Sequence, residues 1–426
     1  MTAAPTRAVM AALAEGGAEA RFVGGCVRDT LMAAFGGRAE VVRDIDIATD
    51  AAPERVMELL KRAHIKVVPT GIEHGTVTAV VDGKPFEITT LRRDVETFGR
   101  RARVAFTDDW KEDAARRDFT INAMFLAADG RVFDPFGGLD DIVTGRVRFV
   151  GEAKARIEED VLRLLRYFRF YAHFDRPPPD AEALAACKAL APKLPTLSGE
   201  RVHAELFKLL AAPDPAETLG LMAREGILAH VLPEAESIPR LAALTVIEHQ
   251  VLLRESDPLL RLAAALTGGV SEASSVAARL RLSNRERERL MALMSSAPVA
   301  PPLDERALRR FLQRQGRDRF VDHLLLNWAE ARLGESAHHP EETGEGGTLD
   351  DVPWLALYEA ARGWTPVAFP IKGEDAVKCG VPPGPLVGEL VRAVEEWWAD
   401  EDFRPDRAAC LAQLKALVGA LGPPTS

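Results

Sequence analysis

Two short runs combine residue types that suit phosphate and metal chemistry: Gly24-Gly25-Cys26-Val27-Arg28-Asp29, after the apolar pair Phe22-Val23, and Asp44-Ile45-Asp46-Ile47. In an extended strand alternate side chains share a face, so Asp44 and Asp46 converge on one point while Ile45 and Ile47 anchor a core. Paired hard-oxygen ligands suit Mg²⁺, which keeps several waters and completes its shell with substrate phosphates. That is the chemistry of phosphoryl and nucleotidyl transfer, in which two ions about 4 Å apart clamp the attacking and leaving oxygens. The glycine pair lets backbone approach a ligand closely, and N–H groups at a turn opening a helix attract anions. Arg28, one helical turn on, supplies a charged fork for a triphosphate. Alone, a Gly-Gly turn is more often plain loop geometry, and a paired aspartate more often a solvated surface. Glycine cradle, arginine and paired carboxylates in that order are much harder to obtain by chance.

A second constellation lies in Glu159-Asp160-Val161-Leu162-Arg163-Leu164-Leu165-Arg166-Tyr167-Phe168-Arg169-Phe170. A helix over this run places Asp160, Arg163, Arg166 and Arg169 in one stripe, with Val161, Leu164, Leu165 and Phe168 toward the core. An isolated stripe of this kind is more often an exposed salt-bridged face. Its sharper reading is a base-reading pocket. There Asp accepts from an exocyclic amine and Arg donates to ring nitrogen or carbonyl acceptors, a pattern that cytosine and adenine both satisfy. Between the two constellations, Arg116-Arg117-Asp118 offers an Arg-Asp pair for a sugar hydroxyl or phosphate. Asp134-Pro135-Phe136-Gly137-Gly138 offers a hinge, or else an ordinary helix start. The segment 92–106, with Arg92, Arg93, Arg100, Arg101 and Arg103, suggests a mobile basic loop near the substrate.

The elements that must position these residues follow from periodicity. Strands are expected near 21–24, 44–48, 65–69, 76–81 and 86–91, with helices over 27–35 and 53–63 and a hairpin turn at Asp82-Gly83-Lys84. After Gly151 strand signals nearly vanish, and helical patterns dominate, punctuated by proline clusters. The polar, glycine-rich run from Gly334 to Asp350 reads as a linker or long loop. The expected architecture is therefore an α+β head over 1–150 and an all-α remainder, divided at 151–215, 216–335, a linker at 336–350 and 351–426. The 426 residues are 47% hydrophobic with a formal net charge of −10. That balance disfavours a protein coated in basic surface for nonspecific nucleic-acid binding, without excluding a local basic groove. No apolar run reaches membrane length and no signal peptide is seen, so the expected location is cytoplasmic, with no membrane association. Cys26, Cys187, Cys379 and Cys410 show no metal-ligand spacing and read as reduced structural thiols.

Taken together these runs resemble the class II tRNA nucleotidyltransferase and bacterial poly(A) polymerase family. GGCVRD and DIDIAT resemble its first motif, RRDFTINAM its second, DPFGG its third, and EDVLRLLR its nucleobase-reading fourth. Glu200-Arg201-Val202-His203-Ala204-Glu205-Leu206 resembles its helix-stabilising fifth. The resemblance is dense from about residue 20 to 210. It implies a polymerase-beta-like nucleotidyltransferase head followed by helical neck, body and tail that grip tRNA. By it, Gly25 and Arg28 bind the triphosphate, Asp44 and Asp46 hold Mg²⁺, Arg117 contacts the incoming nucleotide, Asp160 and Arg163 read its base, and Arg166 and Arg169 complete the pocket. Glu87, on a strand with Phe86 and Ile88 on its opposite face, is a candidate third carboxylate.

Within the family, Gly71-Ile72-Glu73-His74-Gly75-Thr76-Val77-Thr78 resembles the CCA-adding type, and the arginine-rich run of bacterial poly(A) polymerases is missing near 61–70. The segment 92–106 resembles the flexible loop of full CCA enzymes, although it reads Thr97-Phe98-Gly99-Arg100-Arg101-Ala102 in place of the more usual Asp-Gly-Arg-Arg-Pro. Thr267-Gly268 stands where a fused phosphohydrolase would need His-Asp, so no such activity is expected. The resemblance thus implies Mg²⁺-dependent, template-independent addition of CCA to the tRNA 3′ end from CTP and ATP, with no obligate protein partner evident. A poly(A) polymerase, a small-molecule nucleotidyltransferase and a catalytically silent tRNA-binding protein are the rivals. The first is told apart by long A tails without CTP. The long helical portion and the intact carboxylates and arginines weigh against the other two.

Overall fold

The computed structural model describes residues 1–35, 44–98, 101–174, 178–295, 297, 299–338 and 351–420, excepting the side chains of 94–98, 101–104 and 335–338. The chain divides into two compact units, one of residues 1–238, 254–267 and 274–287, the other of 239–253, 268–273 and 288–426.

The first unit opens with helix α1 (Ala4–Glu15), which the sequence reading did not anticipate and which buries Val9 and Leu13. There follow β1 (Ala20–Val23), α2 (Gly25–Ala34), β2 (Asp46–Thr49), α3 (Pro53–Arg62), β3 (Lys66–Gly71), β4 (Thr76–Val81) and β5 (Lys84–Thr90). Next come β6 (Arg92–Phe98), β7 (Arg101–Phe106), α4 (Trp110–Ala115), β8 (Phe125–Leu126), β9 (Val132–Phe133) and α5 (Gly138–Thr144). Seven strands form one sheet in the order β3-β4-β5-β2-β1-β8-β9. Strand β2 runs parallel to β5, and the other neighbours are antiparallel. The expected turn joins β4 to β5: Val81 pairs with Lys84, and Asp82 and Gly83 both have positive φ, 51° and 75°. A two-residue hairpin with that geometry matches the right-handed twist of its strands.

Period-2 alternation sorts the sheet's two faces. Phe22, Ile47, Val77, Ala79, Phe86 and Ile88 enter one core with Leu13 of α1 and Leu60 of α3. Val23 and Ala48 point the other way, toward Trp110, Ala114, Phe125 and Val150. Asp46 alternates with Ile47, and Glu87 alternates with Phe86 and Ile88. Both carboxylates therefore lie on the face away from the larger core.

The segment 92–106, expected as a loop, forms the hairpin β6–β7, paired from Arg92↔Phe106 to Phe98↔Arg101. Gly99 and Arg100 lie outside the described residues. Beyond β9 the described chain is helical: α6 (Ala153–Glu159), α7 (Leu162–Phe174), α8 (Ala181–Leu190), α9 (Gly199–Leu210) and further helices to Ala420. The α+β start and all-α remainder are as expected. The second unit has its own core around Leu390, Val394, Trp398, Cys410 and Leu414. Its helix Arg317–His338 carries the chain into the stretch expected to begin a linker; the rest of that linker, 339–350, lies outside the described residues.

Candidate nucleotidyl-transfer site

The glycine run folds as its residue types require. Gly24 precedes α2 with φ 76° and ψ −137°, a region that side chains avoid, and helix α2 begins at Gly25. A Cβ on Gly24 would stand 3.8 Å from Asp46 Oδ2 and 3.9 Å from Arg117 Nη1. The turn thus lies against one of the paired aspartates and the central arginine at once.

Asp46 opens β2, its Cα in register with Val23 on one side and Glu87 on the other. Asp44 lies just ahead of the strand and is exposed, whereas Asp46 is half-buried. Burial, then the neighbouring Glu87 carboxylate, pushes the Asp46 carboxyl above its ordinary value. Arg117 pulls it down, and Asp44 adds to the rise. A half-buried carboxylate crowded by two others is what a divalent cation relieves, and the donor set is all hard oxygen. Among the described residues no three His, Cys, Asp or Glu side chains converge as a closed metal cage. The hard-oxygen chemistry of Asp44 and Asp46 is of the type that suits a divalent cation.

Arg117 reaches this point from the end of α4. Its Nη2 donates to Asp113 Oδ2 at 2.8 Å, and Arg116 Nε donates to Asp113 Oδ1 at 2.8 Å. Asp113 is almost wholly buried. Burial opposes its charge, yet Arg117 and Arg116 overcome that and hold the carboxyl below its ordinary value. Asp113 Oδ1 also accepts from the backbone N–H of Arg92, the first residue of β6. Asp113 was not singled out in the sequence. Its signal was the spacing i, i+3 and i+4 to the arginine pair.

Arg28 is only 12% exposed in its side chain, and it is thoroughly held. Its Nη1 donates to Asn122 Oδ1 at 2.8 Å, its Nε donates to Asp29 Oδ1 at 2.8 Å, and its guanidinium lies 4.7 Å and 5.1 Å from the Phe174 and Phe170 ring centres. It remains beside the glycine turn, with Nη2 3.6 Å from where a Cβ on Gly25 would stand.

The stripe expected along one helix is divided. Asp160 takes an extended conformation, φ −150° and ψ 106°, after α6 and before α7, and its Oδ1 accepts from Leu162 N at 3.1 Å. An Asp that bonds nearby backbone competes with helix, which is the physical reason for the break. Both Asp160 oxygens also accept from Arg201 Nη2 on α9, at 3.0 and 2.7 Å. Arg163 Nη1 donates to Glu159 Oε2 at 2.5 Å and to the Arg156 carbonyl at 3.0 Å, and its Nη2 to the Arg116 carbonyl at 3.4 Å. Arg166 Nε donates to Asp118 Oδ2 at 2.6 Å, and Arg169 Nε to Glu205 Oε2 at 2.5 Å. The stripe is salt-bridged, but its partners are internal and part-buried, unlike those of a solvated face. Arg201 and Glu205 lay inside the quoted motifs without an assigned role, and Asp118, expected to pair with the arginines before it, pairs instead with Arg166 while Arg116 and Arg117 turn to Asp113. These partners of α7 and Asp160 sit dozens of residues away, where no local spacing points.

Asp134-Pro135-Phe136-Gly137-Gly138 is a helix start. Asp134 accepts from the N–H groups of Gly138 and Leu139, both at 2.8 Å, and Gly137 has φ 75°. A Cβ on Gly138 would stand 2.3 Å from the Thr120 carbonyl oxygen, so α5 packs directly on the run that follows Arg117.

A sheet that brings paired carboxylates, a glycine turn and an arginine together, followed by helices carrying a second arginine cluster, defines a nucleotidyltransferase. Residues 20–148 match the family described as Poly A polymerase head domain, and residues 179–238 the one described as probable RNA and SrmB-binding site of polymerase A. The chain is 34% identical over 411 residues to the mitochondrial CCA tRNA nucleotidyltransferase 1 of Mus musculus, covering 93% of this chain and 86% of the relative. It is 30% identical over 393 residues to the CCA-adding enzyme of Limosilactobacillus reuteri, covering 91% and 90%. The crystal structure of the Bacillus stearothermophilus CCA-adding enzyme in complex with CTP is similar at a TM-score of 0.68 and 26% identity, covering 98% of each chain. The chain belongs to the class II CCA-adding enzymes, the CCA tRNA nucleotidyltransferases. A divalent metal is part of that family's chemistry, in keeping with the donor set around Asp46.

Proposed function

We propose that this enzyme adds CCA to the tRNA 3′ end without a nucleic-acid template, consuming CTP and ATP and releasing pyrophosphate, with Mg²⁺ as its metal. The observation that carries this reading is the crowded Asp46 carboxyl, set between Asp44, Glu87 and Arg117 at the Gly24 turn. The Bacillus stearothermophilus relative solved with CTP supports the nucleotide class. Asp44 and Asp46 would hold Mg²⁺, which supplies Lewis-acid stabilisation of charge at the reacting phosphate. The N–H groups at Gly24 and Gly25, with Arg28, bind the triphosphate, and Arg117 orients the nucleotide beside the carboxylates. Asp160 accepts from the exocyclic amine of cytosine or adenine while Arg163 donates to the adjacent acceptor, and Arg166 and Arg169 complete the pocket. Discrimination then follows from hydrogen-bond pattern, since uracil and guanine present a carbonyl where Asp160 requires a donor.

The domain plan we propose is a head over 1–150, a neck over 151–215, a body over 216–335, a linker over 336–350 and a tail over 351–426, the helical parts gripping tRNA. Among the described residues no helix is long and apolar enough to cross a membrane. We place the enzyme in the cytoplasm; the mitochondrial relatives make fractionation the test of that assignment.

The deciding experiment supplies labelled CTP alone, ATP alone and both, with Mg²⁺, to a tRNA transcript ending at the discriminator base, resolved at single-nucleotide length. Growth by two with CTP and by three with both is the expected result. Long tails from ATP alone would establish a poly(A) polymerase instead, and no growth would remove tRNA as the acceptor.

A further inference from the structure

The ring of Phe170 has three guanidiniums against it. Arg169 lies 4.0 Å from its centre, Arg28 5.1 Å and Arg166 5.6 Å. One of the three stands on α2, just after the glycine turn, and two belong to the arginine stripe of α7. The same two groups are joined a second time, through polar atoms. Arg28 Nη1 donates to Asn122 Oδ1 at 2.8 Å, Asn122 Nδ2 donates to Asp118 Oδ1 at 3.1 Å, and Asp118 Oδ2 accepts from Arg166 Nε at 2.6 Å. Asn122 is 8% exposed and Phe170 2% exposed, so neither is a surface feature.

Each atom in this chain has its role fixed by chemistry. Arginine only donates and the ionised Asp118 only accepts, so a group between them must accept on one side and donate on the other. Asn and Gln do so without charge, and Asn122 is short enough to fit. Asp118 is held ionised: burial opposes its charge, but Arg166, with hydrogen bonds from Asn122 and the Phe119 N–H, brings the carboxyl below its ordinary value. The amide orientation of Asn122 is therefore dictated by both neighbours, and with it the direction of the Arg28 fork.

We infer that Asn122 is a positioning residue that ties the triphosphate-binding arginine to the base-reading helix, so that the fit of the base at α7 is felt at Arg28. This rests on the reading above, in which Arg28 binds the triphosphate and the α7 stripe faces the base. Asn122 itself touches no substrate. Its effect is to let one guanidinium be placed correctly only while Arg166 is in place.

The test uses the full-length enzyme and three variants, Arg28→Ala, Asn122→Ala and Asn122→Asp, each checked for a wild-type thermal unfolding midpoint. Inorganic tripolyphosphate, which has no base, probes the anion site by competition. The ratio of kcat/KM for CTP over UTP probes the base. Arg28→Ala weakens tripolyphosphate binding, and Asn122→Ala weakens it by about tenfold, the size expected for a lost hydrogen bond to a charged group. Asn122→Asp keeps an acceptor for Arg28 and, at the high-pH end of the assay where its carboxyl is ionised, cannot donate to Asp118. There it loses CTP-over-UTP discrimination as far as Asn122→Ala does, by about three- to tenfold, while a proton shared between the two carboxyls at lower pH restores it. A structural role alone would change both nucleotides equally and leave that ratio at the wild-type value. Wild-type tripolyphosphate binding in Asn122→Ala, or wild-type discrimination in Asn122→Asp at the high-pH end, overturns the inference while Arg28→Ala upholds the underlying reading. Unchanged tripolyphosphate binding in Arg28→Ala overturns that reading and the inference with it. If Asn122→Ala does not fold, the near-isosteric Asn122→Asp decides alone.

Discussion

Asp46 is a residue whose ionised form the folded chain disfavours. Burial and the nearby Glu87 raise its carboxyl, so above the ordinary carboxylate range the folded state carries an electrostatic cost that the unfolded state lacks. Asp46→Asn removes that cost. Without metal or nucleotide the variant should unfold at a higher temperature than the wild type at neutral pH, and the gain should shrink as pH falls toward the ordinary carboxylate range. Incorporation should meanwhile fall by roughly a thousandfold or more, as loss of a metal ligand implies, with tRNA binding intact. Calorimetry across pH beside a primer-extension assay checks both; an unchanged midpoint would mean that Asp46 is relieved by some other group. Gly24 makes a complementary case. Space for a methyl exists, yet φ 76° is strained for any L-residue, so Gly24→Ala should cost about 1–3 kcal/mol locally and raise the KM for both nucleotides. Both positions stood out in the sequence because their chemistry is local: alternation in a strand and a glycine before a helix require no knowledge of the rest of the fold.

Elements were legible where they impose a period and obscure where they answer to distant partners. The Asp82-Gly83 hairpin and strands β1 to β5 fall close to their expected places, since apolar alternation and turn chemistry set them. Helix α1 was missed because its apolar residues are mostly small and its neighbours mixed in polarity, a weak signal at that length. The single helix expected over the stripe breaks at Asp160 because that side chain satisfies Leu162 N and then meets Arg201, a partner on α9 that periodicity cannot announce. The arginines were found from sequence, but their counter-charges, Glu159, Asp118 and Glu205, were not assigned, so the balance between a solvated face and an internal network became visible only in three dimensions. At this scale Asp160→Ala should reduce discrimination against UTP and GTP by about ten- to a hundredfold, the worth of a hydrogen bond to a charged group. Arg163→Ala should do the same, and its contact with the Arg116 carbonyl should add a modest rise in nucleotide KM. Competition assays with mixed nucleotides check this; wild-type selectivity in both variants would place base reading elsewhere. Asp118, whose carboxyl is lowered in the fold, contributes stability that is present above the ordinary carboxylate value and lost as pH falls through its folded value. Asp118→Asn should therefore be less stable at neutral pH and lose less on acidification, read from unfolding midpoints between pH 7 and pH 3.

For the whole molecule the question is how a chain of net charge −10 holds a polyanion. Acidic proteins that bind nucleic acid must gather their positive charge locally, because affinity rises with each phosphate neutralised. In the second unit, helix Glu305–Gln315 offers such a gathering. Arg306, Arg310 and Arg314, spaced one turn apart, line a cleft with Phe311 and Asp304, whereas the adjoining cleft sets Arg314 and Arg392 beside Glu395, Glu396 and Asp400, so the positive charge is gathered in the first. Arg310 pairs with Asp400, and its neighbour Arg309 with Asp402, so these two are engaged in holding the unit together. Arg306 and Arg314 are exposed, and we propose them as residues that meet RNA phosphates, in line with the proposed grip by the helical parts. Arg306→Glu with Arg314→Glu should weaken tRNA binding, with kcat for a short acceptor mimic and the KM for CTP close to wild type. The decisive readout is salt dependence. Each phosphate contact removed lowers the slope of log affinity against log salt by about one, so the double variant should lose about two. A parallel shift at unchanged slope would mean that the helix acts through folding of the unit. An unchanged affinity would move the grip to another surface.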